Sequence, residues 1–242
     1  MARIGFRVRA PFAAFRWMQA GVYRASAPVI PPSTAWGLLL NLAGVETRGD
    51  STGVTTLVRP DAPPLRIAVG QSVRYAPDGS AVLPDVTEVS TIYQQLHGYP
   101  VGSSAKEFKE RARGSKYNIA PVRREVLVGL DLVVAAESED PSLLQRMDDG
   151  VSGRLDVPRY GLPFAGDNNL LIDRIDRLAE LPEVWWYERV SPDDGPRPGS
   201  CRLTVGIDRS DSSRTTAAMF APLPSPTAEP PPGAWTWTPQ PP

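Results

Sequence analysis

The run "VLVGLDLVVAA", residues 126–136, constrains this chain more than any other stretch. It is too rich in Val and Leu to be anything but a central strand, flanked by other strands and buried on its faces. A partner for it stands near the amino terminus. Ile4, Phe6 and Val8 alternate with Gly5, Arg7 and Arg9, a period of two that puts apolar side chains on one face and arginines on the other. With 242 residues and 41% apolar composition, the chain can bury one sizeable core, or one core plus a smaller appended sheet.

Between these strands lies "VYRASAPVIPPSTAWGLLLNLAGVE", residues 22–46. Pro31 and Pro32 hold the backbone extended, and Ser33 is the expected N-cap. Trp36, Leu39, Leu40 and Ala43 then share one helical stripe, which Gly44 ends in the left-handed conformation. A Ser-Thr pair at a helix start leaves backbone N–H groups facing outward, where an anion such as phosphate can bind. Every helix has such an end, so the nearby Arg16, Tyr23 and Arg24 carry the inference.

Charge is unevenly divided along the chain. Residues 1–136 hold 16 Lys+Arg against 10 Asp+Glu, and the remainder holds 10 against 17. A basic front half fits a polyanionic or acidic partner, and equally a solvated mixed surface. The basic excess is densest in "SSAKEFKERARGSKYNIAPVRRE", residues 103–125. There Lys106, Lys109, Arg111, Arg113, Lys116, Arg123 and Arg124 are interleaved with Phe108 and Tyr117. Cations for phosphates and rings for unstacked bases are what single-stranded nucleic acid requires. The segment reads as an exposed basic excursion between strands, with a solvated loop as the other reading.

The remaining elements follow from local pattern. Residues 47–64 read as a polar loop. Leu65–Val69 and Ser72–Tyr75 read as short strands around Gly70, and Val89–Tyr93 as another. Asp140-Pro141 opens a short helix through Leu143, Leu144 and Met147, with Gly150 as its stop. "PRYGLPFAGDNN", residues 158–169, is a glycine-punctuated loop, and "LLIDRIDRL" after it fits strand and helix equally. Trp185–Val190 and Arg202–Asp208 read as strands, the second turning Leu203, Val205 and Ile207 inward. Residues 222–242 are too rich in proline to build a packed element, although Trp235 and Trp237 offer anchors.

Cys201 is the single cysteine, so no intrachain disulfide and no thiolate zinc cluster can form. No secretory leader and no apolar run of membrane-spanning length appears, which leads to the expectation of a cytoplasmic protein without membrane contact.

The segment "RAPFAAFRWMQAGVYRASAPVIPPSTAWGLLLNLAGV", residues 9–45, resembles the amino-terminal signature of the CRISPR-associated "Cas five" family. That family, part of the RAMP superfamily, supplies subunits of type I effector complexes (Cascade). The matching positions are the Phe15-Arg16 pair, Tyr23-Arg24, the run from Pro31 to Thr34, and the apolar helix containing Gly37. The resemblance implies an α+β fold: a ferredoxin-like, RNA-recognition (RRM, RAMP) βαββαβ domain over residues 1–180. It implies an inserted basic β-hairpin thumb near Ile92 to Val122; a small β-rich extension over 181–221 and a Pro-rich tail over 222–242 complete the expected organisation. It also implies a subunit that grips the 5′ handle of the CRISPR RNA (crRNA) and caps that end of the complex. Its partners would be the backbone subunit, the large PAM-recognising subunit and, through the complex, target DNA. The expected RNA-binding residues are Arg16, Tyr23, Arg24, Ser33 and Thr34, joined by charge and order by Lys106, Lys109, Arg111, Arg113, Lys116, Tyr117, Arg123 and Arg124. Asp167-Asn168-Asn169 departs from the family, which commonly has a basic residue there.

Some relatives, those of subtype I-C, cut precursor RNA with a Tyr, Lys and His grouping. Attack by a ribose 2′-OH needs a base of near-neutral pKa, and His97, near Tyr93 and Tyr99, is the single histidine. No phosphate loop, dinucleotide fingerprint or metal-ligand spacing is present, so no cofactor and no metal are expected. Three readings stay open: a non-catalytic RNA clamp, a metal-independent endoribonuclease, and an assembly adaptor without RNA contact.

Overall fold

The computed structural model describes residues 1–16, 23–49, 57–82, 89–97, 119–191, 193–195 and 197–239. The front of the chain forms β1 (Ala2–Ala13), β2 (Phe15–Arg16), β3 (Tyr23–Arg24), β4 (Ser26–Ala27) and helix α1 (Pro32–Leu42). Strands β5 (Leu65–Ser72), β6 (Arg74–Tyr75), β7 (Ala81–Val82), β8 (Val89–His97) and β9 (Ile119–Ser138) follow. After helix α2 (Pro141–Val151) come β10 (Arg174–Leu178), β11 (Val184–Arg189), β12 (Cys201–Gly206), β13 (Thr216–Pro222) and β14 (Thr236–Thr238). Among the described residues this is a mixed chain of two α-helices on one large, mainly antiparallel sheet ordered β10-β1-β9-β5-β11-β13-β12.

The run that opened the sequence reading is the middle of that sheet. Strand β9 pairs with β1 from Ala2↔Ser138 to Ala13↔Leu127, and with β5 from Arg66↔Glu137 to Gln71↔Leu132. Its other half pairs with β8, from Val89↔Leu127 to His97↔Ile119. Leu130, Leu132, Val134 and Ala136 join Ile4, Phe6 and Val8 in the core beneath the helices. Val133 and Ala135 point to the opposite face, where they pack with Ala68, Val184, Trp186 and Trp235. The alternation of side chains across a pleated strand thus supplies both layers.

The basic face of β1 is not a bare cationic surface. Arg7 donates to Asp131 through Nε at 2.8 Å and Nη2 at 2.6 Å. Arg9 meets Asp176, and Arg3 and Arg66 share Glu137. Part of the front half's charge is therefore balanced inside the fold, by Asp131 of the same half and by Glu137 and Asp176 of the back half.

Several boundaries differ from expectation, each for a packing reason. Gly70 lies inside β5 because Val184 and the Trp185 carbonyl pass where a side chain would stand. The second half of "LLIDRIDRL" resolves as a strand, β10, paired with the edge of β1, and its first four residues precede that strand. Ile207 falls beyond β12 and is 40% exposed, unlike the buried Leu203 and Val205. Gly44 does adopt the left-handed conformation, φ 65°. Gly150, however, does not stop α2; it lies within the helix, where a Cβ would stand 1.8 Å from the Leu42 carbonyl oxygen of α1. The missing side chain lets the two helices touch. Gly150→Ala is expected to force them apart and to lower stability by about 3 kcal/mol, read as a lower midpoint in urea.

The Pro-rich end also differs. It forms β14, which pairs with β5 from Thr236↔Ile67 to Thr238↔Leu65. Trp235 is buried between Arg3 and Arg66, whose guanidinium carbons lie 5.0 and 5.3 Å from its ring centroid. Proline cannot donate to a ladder, but Thr227, Thr236 and Thr238 interrupt the prolines and restore pairing. Among the described residues no helix is long and apolar enough to cross a membrane.

Candidate nucleic-acid interface

The expected signature residues assemble where β1 hands over to α1, in two adjoining patches. The first is an arginine cluster on β9. Short strand β3 runs parallel to β9 with Tyr23 opposite Arg123 and Arg24 opposite Arg124. Arg16 and Arg124 both donate to Oδ2 of Asp167, Arg16 from 3.2 Å and Arg124 at close range. Asp167 and Arg124 are buried, their side chains 3% and 4% exposed, while Arg16 is 44% exposed. The glycine loop aims that carboxylate. Gly166 at φ 80° passes so near Ala14 that a Cβ would lie 2.4 Å from its carbonyl oxygen. The Asn169 amide and side chain then donate to Oδ1 at 2.9 and 3.0 Å.

Burial alone would raise the Asp167 pKa. The Asn169 amide and the Arg124 and Arg16 guanidiniums outweigh it and hold the carboxyl below the usual aspartate range. A second carboxylate, Glu125, accepts from the Ser26 amide at 2.8 Å and from the Tyr23 hydroxyl. Its hydrogen bond keeps the Tyr23 phenol above its ordinary pKa, so the group is a neutral hydroxyl at neutral pH. Arg24 makes no ion pair among the described residues, and its Nε is buried without a partner. Arg123 is exposed and donates from Nε to the Tyr93 hydroxyl at 2.8 Å, its guanidinium stacked 5.3 Å over that ring.

The second patch is a cleft of about 520 Å³ beside Arg16, between α1 and the glycine loop. Ser33, Thr34, Trp36, Gly37 and Asn41 of α1 form one side, and Arg48, Tyr160, Leu162 and Phe164 stand among the others. Ser33 is not the N-cap: Pro31 holds that position without a side-chain bond, because the helix starts two residues earlier, at Pro32. Nor does the helix end present a fan of free amides. The prolines have none, and the Thr34 N–H donates to the Pro31 carbonyl at 2.9 Å. Ser33 and Thr34 thus contribute to the cleft wall rather than to an anion-binding helix cap.

The sequence pattern groups Arg124 with an exposed basic excursion. It is instead a buried residue of β9 with Asp167 as counter-ion, since the strand begins at Ile119, earlier than the apolar run implies. Tyr99, Lys106, Lys109, Arg111, Arg113, Lys116 and Tyr117 lie outside the described residues, as does the side chain of His97. Asp167, Glu125, Arg48 and Tyr160 were absent from the expected set. Asp167 had a sequence signal, the acidic residue where the family commonly has a basic one.

The described residues hold no group of three or more His, Cys, Asp and Glu placed to bind a metal ion. Cys201 is buried, which pushes its thiol up to about 12, far from a thiolate nucleophile.

No curated protein matches the chain. Among solved structures, a chain of a "CRISPR RNA-guided surveillance complex" shares 15% identity over 95% of each chain with a TM-score of 0.53, a likeness of fold. Another, titled "Crystal structure of Cas protein", shares 13% identity over 92% of this chain and 94% of that one, with a TM-score of 0.46. The model of the family described as CRISPR-associated protein (Cas_Cas5) matches residues 4–149, from the first core residue of β1 almost to the end of α2. This chain therefore belongs to the CRISPR-associated Cas5 family.

Proposed function

We propose that this protein is a non-catalytic, RNA-clamping subunit of a type I CRISPR effector complex, holding the 5′ handle of crRNA and capping that end of the assembly. Backbone and large PAM-recognising subunits are its partners in this reading, and target DNA meets it through the complex. The observation that carries the reading is the convergence of four guanidiniums, Arg16, Arg24, Arg123 and Arg124, with two carboxylates, Asp167 and Glu125, among the described residues at this junction. Such an excess, with Tyr23 and Tyr93 exposed beside it, suits a kinked ribonucleotide chain: cations meet phosphates and rings stack on bases.

The same reading takes the strand order β10-β1-β9-β5, antiparallel throughout, as the ferredoxin-like βαββαβ core with α1 and α2 as its crossovers. In this reading the β8–β9 ladder is the base of the thumb, and Lys106, Lys109, Arg111, Arg113, Lys116 and Tyr117, which lie between these strands in the sequence, are further residues expected to meet RNA. Purified protein incubated with labelled CRISPR repeat RNA in EDTA is expected to retard the RNA and leave it intact. Shortened RNA that disappears with His97→Ala would establish the ribonuclease instead, and no retardation at low salt would leave an assembly adaptor.

A further inference from the structure

The family model ends at residue 149, yet the site beside Arg16 is finished by a segment far beyond it: Thr238 and Pro239 stand in one wall with Ser33 and Thr34 of α1. Resting on the RNA-clamp reading, we propose that residues 223–239 are a working part of the clamp, a strap whose anchor, Trp235 on the opposite face of the sheet, positions α1 and that wall for RNA.

The strap is fastened at both ends. At its start the Leu223 amide donates to the Trp186 carbonyl at 2.9 Å, and Val184 and Thr227 exchange amide bonds at 3.0 and 3.1 Å. The Trp186 indole donates to the Thr227 carbonyl at 2.9 Å. Pro230, Pro231 and Pro232 follow, and proline offers no amide to a ladder. The far end is therefore held by Ala234 and Trp235, both buried, and by β14.

The slot for Trp235 is built by residues outside the strap. Glu137, its side chain 9% exposed, accepts from Arg3 at 3.0 Å on one oxygen and from Arg66 at 2.8 Å on the other. The shared carboxylate turns both guanidiniums toward one ring, and indole is the ring that a guanidinium favours most. Two cations against one carboxylate leave the slot positive. The strap itself brings the second carboxylate, Glu229, which pairs with Arg3.

From this anchor the chain passes directly to the other side of the sheet. The alternation of β14 puts Thr236 and Thr238 on the face opposite Trp235, and both are buried. Thr236 Oγ1 accepts from Arg189 Nε at 3.2 Å, and β14 touches α1 and β12. A strand rises roughly 3.4 Å per residue, so Thr238 lies about 10 Å along the chain from Trp235. A paired strand this short passes a shift of its anchor to α1 rather than absorbing it. A segment that merely covered the second apolar layer could end at Trp235; this one continues into the wall beside Arg16.

If the docked strap strengthens RNA binding, bound RNA must strengthen docking by the same factor. Hydrogen exchange of the full chain is the first test, with and without synthetic repeat RNA from the same CRISPR locus. The amides of Trp235, Thr236, Trp237 and Thr238 are expected to exchange about tenfold more slowly with RNA bound. Trp235→Ala is expected to weaken affinity for that RNA about tenfold, and Trp235→Phe, which keeps a ring between the guanidiniums, to recover most of it. Both variants should keep the wild-type slope of log K against log salt, because no phosphate contact is lost. That separates the anchor from Arg16 and Arg24. Exchange that changes less than about twofold on RNA binding makes the strap a cover only, and the proposal falls while the clamp stands. Wild-type affinity in Trp235→Ala overturns it equally, as does a salt slope shallower by about 0.7, the mark of a displaced cation. Absence of any RNA binding by the wild type removes the clamp and this proposal with it.

Discussion

Asp167→Ala is expected to lower the unfolding free energy by about 3–5 kcal/mol, because it leaves the Arg124 charge buried with its principal counter-ion gone. Arg124 is a core residue of β9, and removing one partner of a buried pair costs more than the pair's net worth. For a domain of this size the loss corresponds to a fall in Tm of roughly 10 °C, measurable by calorimetry. Asp167→Asn, which keeps an acceptor oxygen but no charge, is expected to fall between the variant and the wild type. Acid acts on the same pair. Asp167 is held below the ordinary aspartate range in the folded chain, so its contribution is complete above that range. It is lost as pH falls through the depressed folded value. Asp131, held down by Arg7 and Ser72 against its own burial, adds to the same acid-side loss.

The second large effect concerns ligand rather than fold. Arg16→Ala combined with Arg24→Ala is expected to weaken handle RNA binding roughly a hundredfold, from two charge-assisted contacts of about 1.5 kcal/mol each. The fold should persist. Arg16 is 44% exposed and Asp167 keeps Arg124 without it, while Arg24 has no ion pair among the described residues to break.

The core was legible because periodicity reports burial. Ile4, Phe6 and Val8, the run from Val126 to Ala136, and the helix from Trp36 to Ala43 all lie where their spacing implies. The Phe15-Arg16 and Tyr23-Arg24 pairs were legible for another reason, a signature that holds backbone and cations together at one junction. What stayed hidden was set by long-range partners. Nothing local marks Arg124 as buried, since its counter-ion stands 43 positions away in a loop. Gly150 looked like a stop because its role is contact with Leu42, invisible along the chain. The tail's prolines masked β14, because propensity argues against a strand that the free edge of β5 recruits. Arg48 and Tyr160 carry no local motif and meet only once the fold closes.

The central claim is that the cations gathered around Asp167 and Glu125 face RNA phosphates. Its most direct test is the salt dependence of repeat RNA affinity, compared between the wild type and the Arg16→Ala, Arg24→Ala variant. Two lost phosphate contacts should make the slope of log K against log salt shallower by about 1.4. An unchanged slope with unchanged affinity would contradict the account.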